Sequence, residues 1–257
     1  MQPESSQMPL LLRRRFGPVV RLTIKRPRGD NRLDYATVRS LLAHVESLAA
    51  DLETRAVILT ASGGQTFAAG ADPGDLQRSD ANEVRRWLRW GHRLMDAVAA
   101  LPQPTLAAIN GVAAGAGFEL ALAADLRLLA ADARVGLPQV RQGFIPAWGG
   151  TQRLARLVGP GIAKELIYTG RLVEAEEATR LGLVNAVHPN SQLQEAALEL
   201  AQQLASVPPQ AIAGAKEAID SGLARDLVTG NQIEIAVSER LFGGSPALPD
   251  EQREAAS

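Results

Sequence analysis

Apolar residues in the N-terminal third follow first the spacing of strands and then that of a helix. Two runs rich in β-forming residues, "LLLRR" (10–14) and "VVRLTI" (19–24), flank Phe16-Gly17-Pro18 and predict a β-hairpin. Asp34 is a candidate cap for a helix in which apolar residues recur at helical spacing: Val38, Leu41, Leu42, Val45 and Leu48. The continuous apolar run "AVILT" (56–60) predicts a strand that is buried on both faces.

The middle of the chain alternates between strand and helix patterns, and the C-terminal part is helical. A glycine-rich loop (61–75) leads to a helix predicted over 82–101, and "PTLAAI", "GAGFELALAA" and "LRLLA" then predict a strand, a helix and a strand. Such alternation indicates βαβ units and a largely parallel sheet. Short helices are predicted within 151–182, before the apolar run "LVNAV", and three further helices begin near Leu193, Pro209 and Leu227. The fold class predicted is α/β, with a helical C-terminal region.

Composition narrows the possible functions. Of the 257 residues, 46% are hydrophobic, which argues for a sizeable core, and 27 Lys+Arg balance 28 Asp+Glu, which argues against nucleic-acid or membrane-surface binding. The absence of cysteine excludes disulfides, thiolate catalysis and cysteine-bound zinc. The N-terminal apolar stretch is very short and precedes the charges, the reverse of a signal peptide, and no stretch approaches the roughly 20 apolar residues of a membrane span. We therefore expect a soluble, cytoplasmic protein.

Several common catalytic motifs are absent from the sequence. It contains no G-x-S-x-G nucleophile elbow, no H-E-x-x-H metal motif and no G-x-x-x-x-G-K-[ST] phosphate loop. His44, His92 and His188 are widely separated, which is more typical of ordinary histidines than of metal ligands. "GAGFEL" approaches the dinucleotide fingerprint, but Leu120 stands at the third glycine, so a dinucleotide-dependent oxidoreductase is a weak alternative.

Two turns rich in small residues follow the predicted buried strands. "FAAGAD" (67–72) follows "AVILT", and "NGVAAGAGFEL" (110–120) follows "PTLAAI" and opens a helix. Small residues allow backbone N–H groups to approach a ligand closely, and a helix N-terminus favours developing negative charge. Two such N–H groups directed at one carbonyl oxygen would form an oxyanion hole, although ordinary tight turns have the same composition.

Glu119 is the sharper chemical signal, because it lies in an otherwise apolar segment between Phe118 and Leu120. A carboxylate in the first turn of a helix can simply be favoured by the helix dipole. An apolar setting, however, raises a carboxyl pKa towards the range that suits acid–base catalysis. Beside an oxyanion hole, such a group would transfer a proton next to a carbonyl that becomes an enolate.

These segments together resemble the enoyl-CoA hydratase/isomerase (crotonase) family over roughly residues 10 to 245. The likeness includes "TIKRPRGDNRLD", "FAAGAD", "PTLAAINGVAAGAGFELALAADLRLLA", "GLPQVRQGFIPAWGGTQRLARLVG" and "ELIYTGRLVEAEEATRLGLVNAV". The resemblance implies a spiral of ββα units over 1–195 and a helical oligomerisation region over 196–257, here without the last helix that members commonly have. It also implies acyl-CoA thioester substrates, no cofactor beyond the CoA carried by the substrate, and a homotrimer or a dimer of trimers.

The resemblance also assigns site residues by position. The oxyanion-hole N–H groups would come from Ala71 and Ala116, where many members have glycine in the second position. Positions matched to CoA and substrate binding are Arg26, Asn31, Arg32, Leu33, Ala69, Asp72 and Gly115. Lys25, Arg26 and Arg28 are candidates for the CoA phosphates, although a solvated strand end explains such charges equally well.

The match departs from the family at the second catalytic position. Hydratases of the family hold a water between two glutamates; Glu119 matches the first, and Gln139, in "GLPQ", stands where the second is expected. Single-acid isomerases of the family usually keep the second glutamate and lose the first, which is the opposite pattern. We therefore expect a hydratase-type enzyme with Glu119 as the acid/base and Gln139 positioning water or substrate. A single-acid isomerase, hydrolase or decarboxylase, and a catalytically weak acyl-CoA-binding subunit, remain alternatives.

Overall fold

The strands form two sheets in a computed structural model of the chain, which describes residues 10–26, 29–72 and 80–244. The larger sheet has the order β1-β2-β3-β5-β7-β10 and the smaller one β4-β6-β8-β9. The strand bounds are β1 (Leu11–Phe16), β2 (Val19–Ile24), β3 (Ala56–Ala61), β4 (Thr66–Ala68), β5 (Thr105–Ile109), β6 (Val112–Ala114), β7 (Leu126–Ala130), β8 (Arg134–Gly136), β9 (Val173–Glu174) and β10 (Ala186–His188).

Helices connect and follow these strands. Their bounds are α1 (Tyr35–Ala49), α2 (Ala81–Ala99), α3 (Ala116–Ala123), α4 (Gly150–Thr169), α5 (Ala175–Arg180), α6 (Asn190–Ser206), α7 (Pro209–Gly222) and α8 (Leu227–Gly244), with a 3-10 helix at Pro138–Gln142. Asp34 caps α1, as predicted, by accepting a hydrogen bond of 2.8 Å from the Thr37 N–H. The two short helices predicted within 151–170 are the two parts of α4, which is broken at Gly159 (φ 80°, ψ 158°) before Pro160.

The larger sheet confirms the predicted hairpin and the largely parallel arrangement. β1 and β2 pair antiparallel from Leu11↔Ile24 to Phe16↔Val19, and β3, β5, β7 and β10 continue the sheet in parallel. Every residue of β3 and of β5 is buried, as expected for central strands of a parallel sheet that is covered on both faces.

The smaller sheet gives the fold its ββα repeat. Each of β4, β6 and β8 follows directly after a strand of the larger sheet, and β4 pairs in parallel with β6, and β6 with β8. The sequence pattern predicted only loops where β4 and β6 lie, which is wrong. Both strands have three residues, too few to show an alternating pattern, and their partners are distant in sequence.

The chain divides into two compact units between Ala205 and Ser206, at the end of α6. The boundary expected at 195/196 falls inside α6. In the C-terminal unit, α7 and α8 pack closely at Gly214, where an added Cβ would lie 2.9 Å from Leu241 Cδ1. Among the described residues, no helix is both long and apolar enough to cross a bilayer.

Candidate active site

Glu119 lies in the first turn of α3 and is almost fully buried, with 2% of its surface exposed. α3 starts at a sharp turn, where Gly115 has a φ of 54° that favours glycine. The helix also approaches β4 closely, since a Cβ atom on Gly117 would lie 2.2 Å from Ala68 O. The small residues of "GAG" therefore bring a carboxyl group into the protein interior beside the end of β4.

One oxygen of Glu119 is held by two backbone donors on a segment about thirty residues further along the chain. Trp148 N–H and Gly150 N–H each donate to Oε1 at 2.8 Å. A Cβ atom on Gly150 would lie 2.8 Å from both Cγ and Oε1 of Glu119, so only glycine fits there. We call residues 148–150 the carboxylate clamp.

Gln139 faces the other oxygen of Glu119. It lies on the 3-10 helix, and its Nε2 donates to Glu119 Oε2 at 3.1 Å. An ionised carboxylate can only accept hydrogen bonds, so the amide nitrogen must face Glu119. Gln139 Oε1 is buried and has no hydrogen-bond partner among the described residues. It lies near Gly115, where an added Cβ would be 3.8 Å away.

Burial raises the pKa of Glu119 above the ordinary value of 4.5. The hydrogen bonds from Gly150 and Trp148 and the positive charge of Arg153 oppose this rise, because they stabilise the ionised form. Because the effect of burial exceeds that of the opposing groups, the carboxyl group holds its proton more tightly than an exposed glutamate does. A raised pKa suits a carboxyl group that both accepts and returns a proton.

Two backbone segments meet beside this carboxyl group. Leu33 N–H donates to Gly70 O, and Asp72 N–H donates to Leu33 O, in a parallel bridge that leaves the N–H of Ala71 directed to the opposite side. A Cβ atom on Gly70 would lie 3.3 Å from Ala114 O and 3.9 Å from Ala116 N. The turn carrying Ala71 is thus brought against the start of α3, whose first N–H belongs to Ala116.

Asn31 organises the loop that precedes α1. Its side chain is fully buried, donates to Ser62 O at 3.0 Å and to Thr66 O at 2.8 Å, and accepts from Arg26 N–H at 3.1 Å. Its φ of 48° is unusual for a residue other than glycine. The side chain is fully engaged with the backbone, so any contact of this position with a ligand would be made by the surrounding loop.

The basic residues of this loop lie at the surface and are partly paired. Arg26 forms an ion pair with Asp34 and bonds Thr37 Oγ1 at 3.2 Å. Arg32 pairs with Asp30 at 2.8 Å, and its Nη1 is 3.4 Å from Ala71 O. The remaining matched positions, Lys25, Ala69 and Asp72, are half-buried, and Ala69 N–H donates to Asp30 O at 3.1 Å; Arg28 lies outside the described residues.

The family model for enoyl-CoA hydratase/isomerase matches residues 15–245, which is most of the chain. The chain belongs to the enoyl-CoA hydratase/isomerase family. A short-chain-enoyl-CoA hydratase of Clostridium acetobutylicum is 37% identical over 236 residues, covering 92% of this chain and 89% of the relative. A crotonyl-CoA hydratase of Syntrophomonas wolfei is 38% identical over 83% of this chain and 82% of its own length.

Solved structures of the enoyl-CoA hydratase/isomerase family share the fold. The crystal structure of an enoyl-CoA hydratase from Bacillus anthracis superimposes with a TM-score of 0.91 at 40% identity, covering 96% of each chain. The spiral of ββα units predicted from the resemblance is thereby confirmed. In this chain, the described residues include no group of three His, Asp or Glu side chains that could hold a metal ion.

Sequence reasoning missed the carboxylate clamp. The Gly149-Gly150 pair indicated only a loop and a helix start, because the N–H groups of Trp148 and Gly150 leave no trace in residue type. Trp148 is held from the other side by α2, since a Cβ atom on Gly91 would lie 2.0 Å from Trp148 Cε2. The sequence signals were Gly91 and Gly150, whose need for glycine comes from the side chains of Trp148 and Glu119, far away in the sequence.

Proposed function

We propose that this chain is a hydratase-type enzyme that adds water to, or removes it from, a 2-enoyl-CoA thioester. The observation that carries the proposal is the buried Glu119 carboxyl group, held at Oε1 by the clamp and facing Gln139 with Oε2. The names of the relatives, a short-chain-enoyl-CoA hydratase and a crotonyl-CoA hydratase, support the substrate class.

In the proposed reaction the N–H groups of Ala71 and Ala116 polarise the thioester oxygen. Glu119 Oε2 accepts a proton from water while the water oxygen bonds to C3 of the enoyl group, and the π electrons move to the thioester as an enolate. Glu119 then returns the proton to Cα, which yields the 3-hydroxyacyl thioester. Donors directed at the developing oxyanion lower the barrier because they are already oriented before charge appears. CoA enters as part of the substrate, and no further cofactor takes part.

Gln139 positions the water in this scheme. Its Nε2–H group, which faces Glu119 Oε2, would donate to the oxygen of the water, while Glu119 accepts one O–H of the water. An amide cannot transfer the proton, so the roughly 10²- to 10⁴-fold contribution of a second acid–base group is missing. The same observation favours a second candidate function, a single-acid isomerisation, hydrolysis or decarboxylation of an acyl-CoA that needs only Glu119.

A hydration assay on short-chain 2-enoyl-CoA tests the proposal. We expect turnover that falls by at least about 100-fold in Glu119→Gln. Glu174→Gln, at an exposed position at the end of β9, is the matched control and should leave the rate unchanged. Fast hydration that survives Glu119→Gln contradicts the mechanism. CoA binding without hydration, combined with turnover of a 3-enoyl, hydroxyacyl or malonyl thioester, would establish the second candidate instead.

We also propose that the protein acts in the cytoplasm as a homotrimer or a dimer of trimers. Large apolar side chains exposed on the C-terminal unit support association, since such surfaces commonly mark interfaces: Leu223, Leu227, Val228, Ile235 and Phe242. Light scattering coupled to size-exclusion chromatography would measure the mass, and a monomer at micromolar concentration would contradict the assembly.

A further inference from the structure

Arg153 links the carboxylate clamp to helix α2. It lies in the first turn of α4, and its Nη1 donates to Trp148 O at 3.2 Å. Its Nη2 bonds Asp96 Oδ1 on α2 at 2.9 Å. The Arg153 side chain is 23% exposed, whereas that of Asp96 is 69% exposed. An ion pair with so exposed a partner contributes little by itself, so the contact with the clamp is the informative one.

The carbonyl that Arg153 contacts belongs to the peptide unit between the two donors of the clamp. Trp148 N–H precedes this peptide and Gly150 N–H follows it, so its orientation sets the directions of both. Gly149 has a φ of 97°, and a Cβ atom there would lie 2.2 Å from Arg153 Nη1. The glycine therefore leaves room for the guanidinium group directly above the peptide.

Arg153 is also the charged group that acts on Glu119. Its positive charge favours the ionised carboxylate and lowers the pKa of Glu119 against the effect of burial. The two described segments that face Glu119 from the C-terminal side carry no charge there, because Gln139 is an amide and the segment 143–149 has no ionisable side chain. Arg141 of the 3-10 helix donates to Thr169 O, and on α2 Asp96 shares a surface groove with His92 and Arg93.

We propose that Arg153 is a positioning residue for Glu119, which holds the 148–150 peptides so that both N–H groups bind Oε1 and Oε2 is left for the substrate. The inference rests on the acid–base role proposed above for Glu119. Arg153 touches neither the substrate nor the reacting atoms in this scheme. It acts through the backbone of the clamp and through its charge.

Variants of Arg153 separate the charge from the contact. Arg153→Met removes both, Arg153→Gln keeps a hydrogen-bond donor without charge, and Arg153→Lys keeps the charge. Arg156→Met, three residues further along α4, is the matched control, because Arg156 bonds Gln152 of its own helix and no other described residue. The measurement is kcat/KM for hydration of short-chain 2-enoyl-CoA as a function of pH.

We expect Arg153→Met to lower kcat/KM by about 10- to 100-fold, the range for losing the alignment of a reacting group. The acid limb of its pH–rate profile should move to higher pH. The reason is that Glu119 loses a stabilising positive charge and must be ionised to accept a proton. Arg153→Gln should show the same shift, whereas Arg153→Lys and Arg156→Met should keep the wild-type limb. Equal losses at every pH, with an unmoved limb in all variants, would overturn the proposal.

A second measurement needs no substrate. The free energy of unfolding is measured against pH for the wild type and for Arg153→Gln, each with and without the additional substitution Glu119→Gln. Within each pair, the difference in unfolding free energy reports the ionisation of Glu119. The difference should stop falling, at a bend that marks the folded-state pKa of Glu119, at a higher pH in the Arg153→Gln background than in the wild type. If the wild type hydrates no enoyl-CoA but the bend moves, the proposed function fails and the inference about Arg153 stands. A bend that does not move overturns the inference whatever the activity.

Discussion

Replacing Gln139 by glutamate would put a second carboxyl group against Glu119, where the amide Nε2 now lies 3.1 Å from Oε2. Two ionised carboxylates at that separation repel by about 5 kcal/mol at an effective dielectric constant of about 20. This is several times the roughly 1.4 kcal/mol that one pH unit represents. At neutral pH the pair in Gln139→Glu should therefore share one proton and titrate as a unit.

The shared proton gives the variant the acid that the wild type lacks. Gln139→Glu should hydrate short-chain 2-enoyl-CoA about 10²- to 10⁴-fold faster than the wild type, the range for one acid–base group. The assay follows the loss of the ultraviolet absorbance of the conjugated enoyl thioester. Gln142→Glu, on an exposed position of the same 3-10 helix, adds the same charge away from Glu119 and should leave the rate unchanged.

The reasoning is refuted if folded Gln139→Glu hydrates no faster than the wild type. A wild type that already turns over rapidly, and slows in Gln139→Glu, would show that Glu119 alone suffices and that the amide is the better partner. The two outcomes differ in the wild-type rate, so one set of measurements distinguishes them.

Three further predictions concern stability. Because the pKa of Glu119 is raised in the folded state, the wild type should lose stability relative to Glu119→Gln as the pH rises from about 4.5 through the folded pKa, as measured by chemical denaturation at several pH values. A difference that is independent of pH would contradict the raised pKa. Gly150→Ala should lower the free energy of unfolding by about 1–3 kcal/mol and abolish hydration, since its Cβ would overlap Glu119. Gly161→Ala, with open space around the added Cβ, is the control and should change neither quantity. Asn31→Ala should lower the free energy of unfolding by about 2–4 kcal/mol in the same denaturation assay, because it removes three hydrogen bonds at a buried position. An effect below about 1 kcal/mol would show that other contacts hold the loop.

Much of the frame of the fold was predictable, because each of its elements is long enough to show its own period. β3 and β5 are continuous apolar runs of five or six residues, and α1 carries its apolar stripe behind the Asp34 cap. The short strands β4 and β6 were missed, since three residues cannot show a period. Their existence depends on pairing with each other and, for β6, with β8.

The candidate site likewise has residues that could be predicted from the sequence and contacts that could not. Glu119 was identifiable because a charged residue in an apolar helix is a local anomaly, and the resemblance to the family directed attention to Gln139. Local pattern could not show that the Gln139 amide faces Glu119, twenty residues earlier in the chain, with its own oxygen left without a partner. It also could not show that the N–H groups of Trp148 and Gly150 hold the carboxylate, because every residue except proline has an N–H group.

The sequence by itself determined the α/β class, the parallel sheet, the family and the carboxyl group at Glu119, because all of these depend on residue type and on spacing along the chain. The tertiary structure decided which oxygen of Glu119 the clamp holds, which oxygen faces the Gln139 amide, and that Arg153 bonds the carbonyl between the two donors. The contacts of Glu119 join segments that lie 20 to about 30 residues apart, and two of them are made by backbone N–H groups. Such contacts exist only after the apolar elements have packed, since that packing brings Gly91, Trp148 and Gly150 into register around one buried carboxylate.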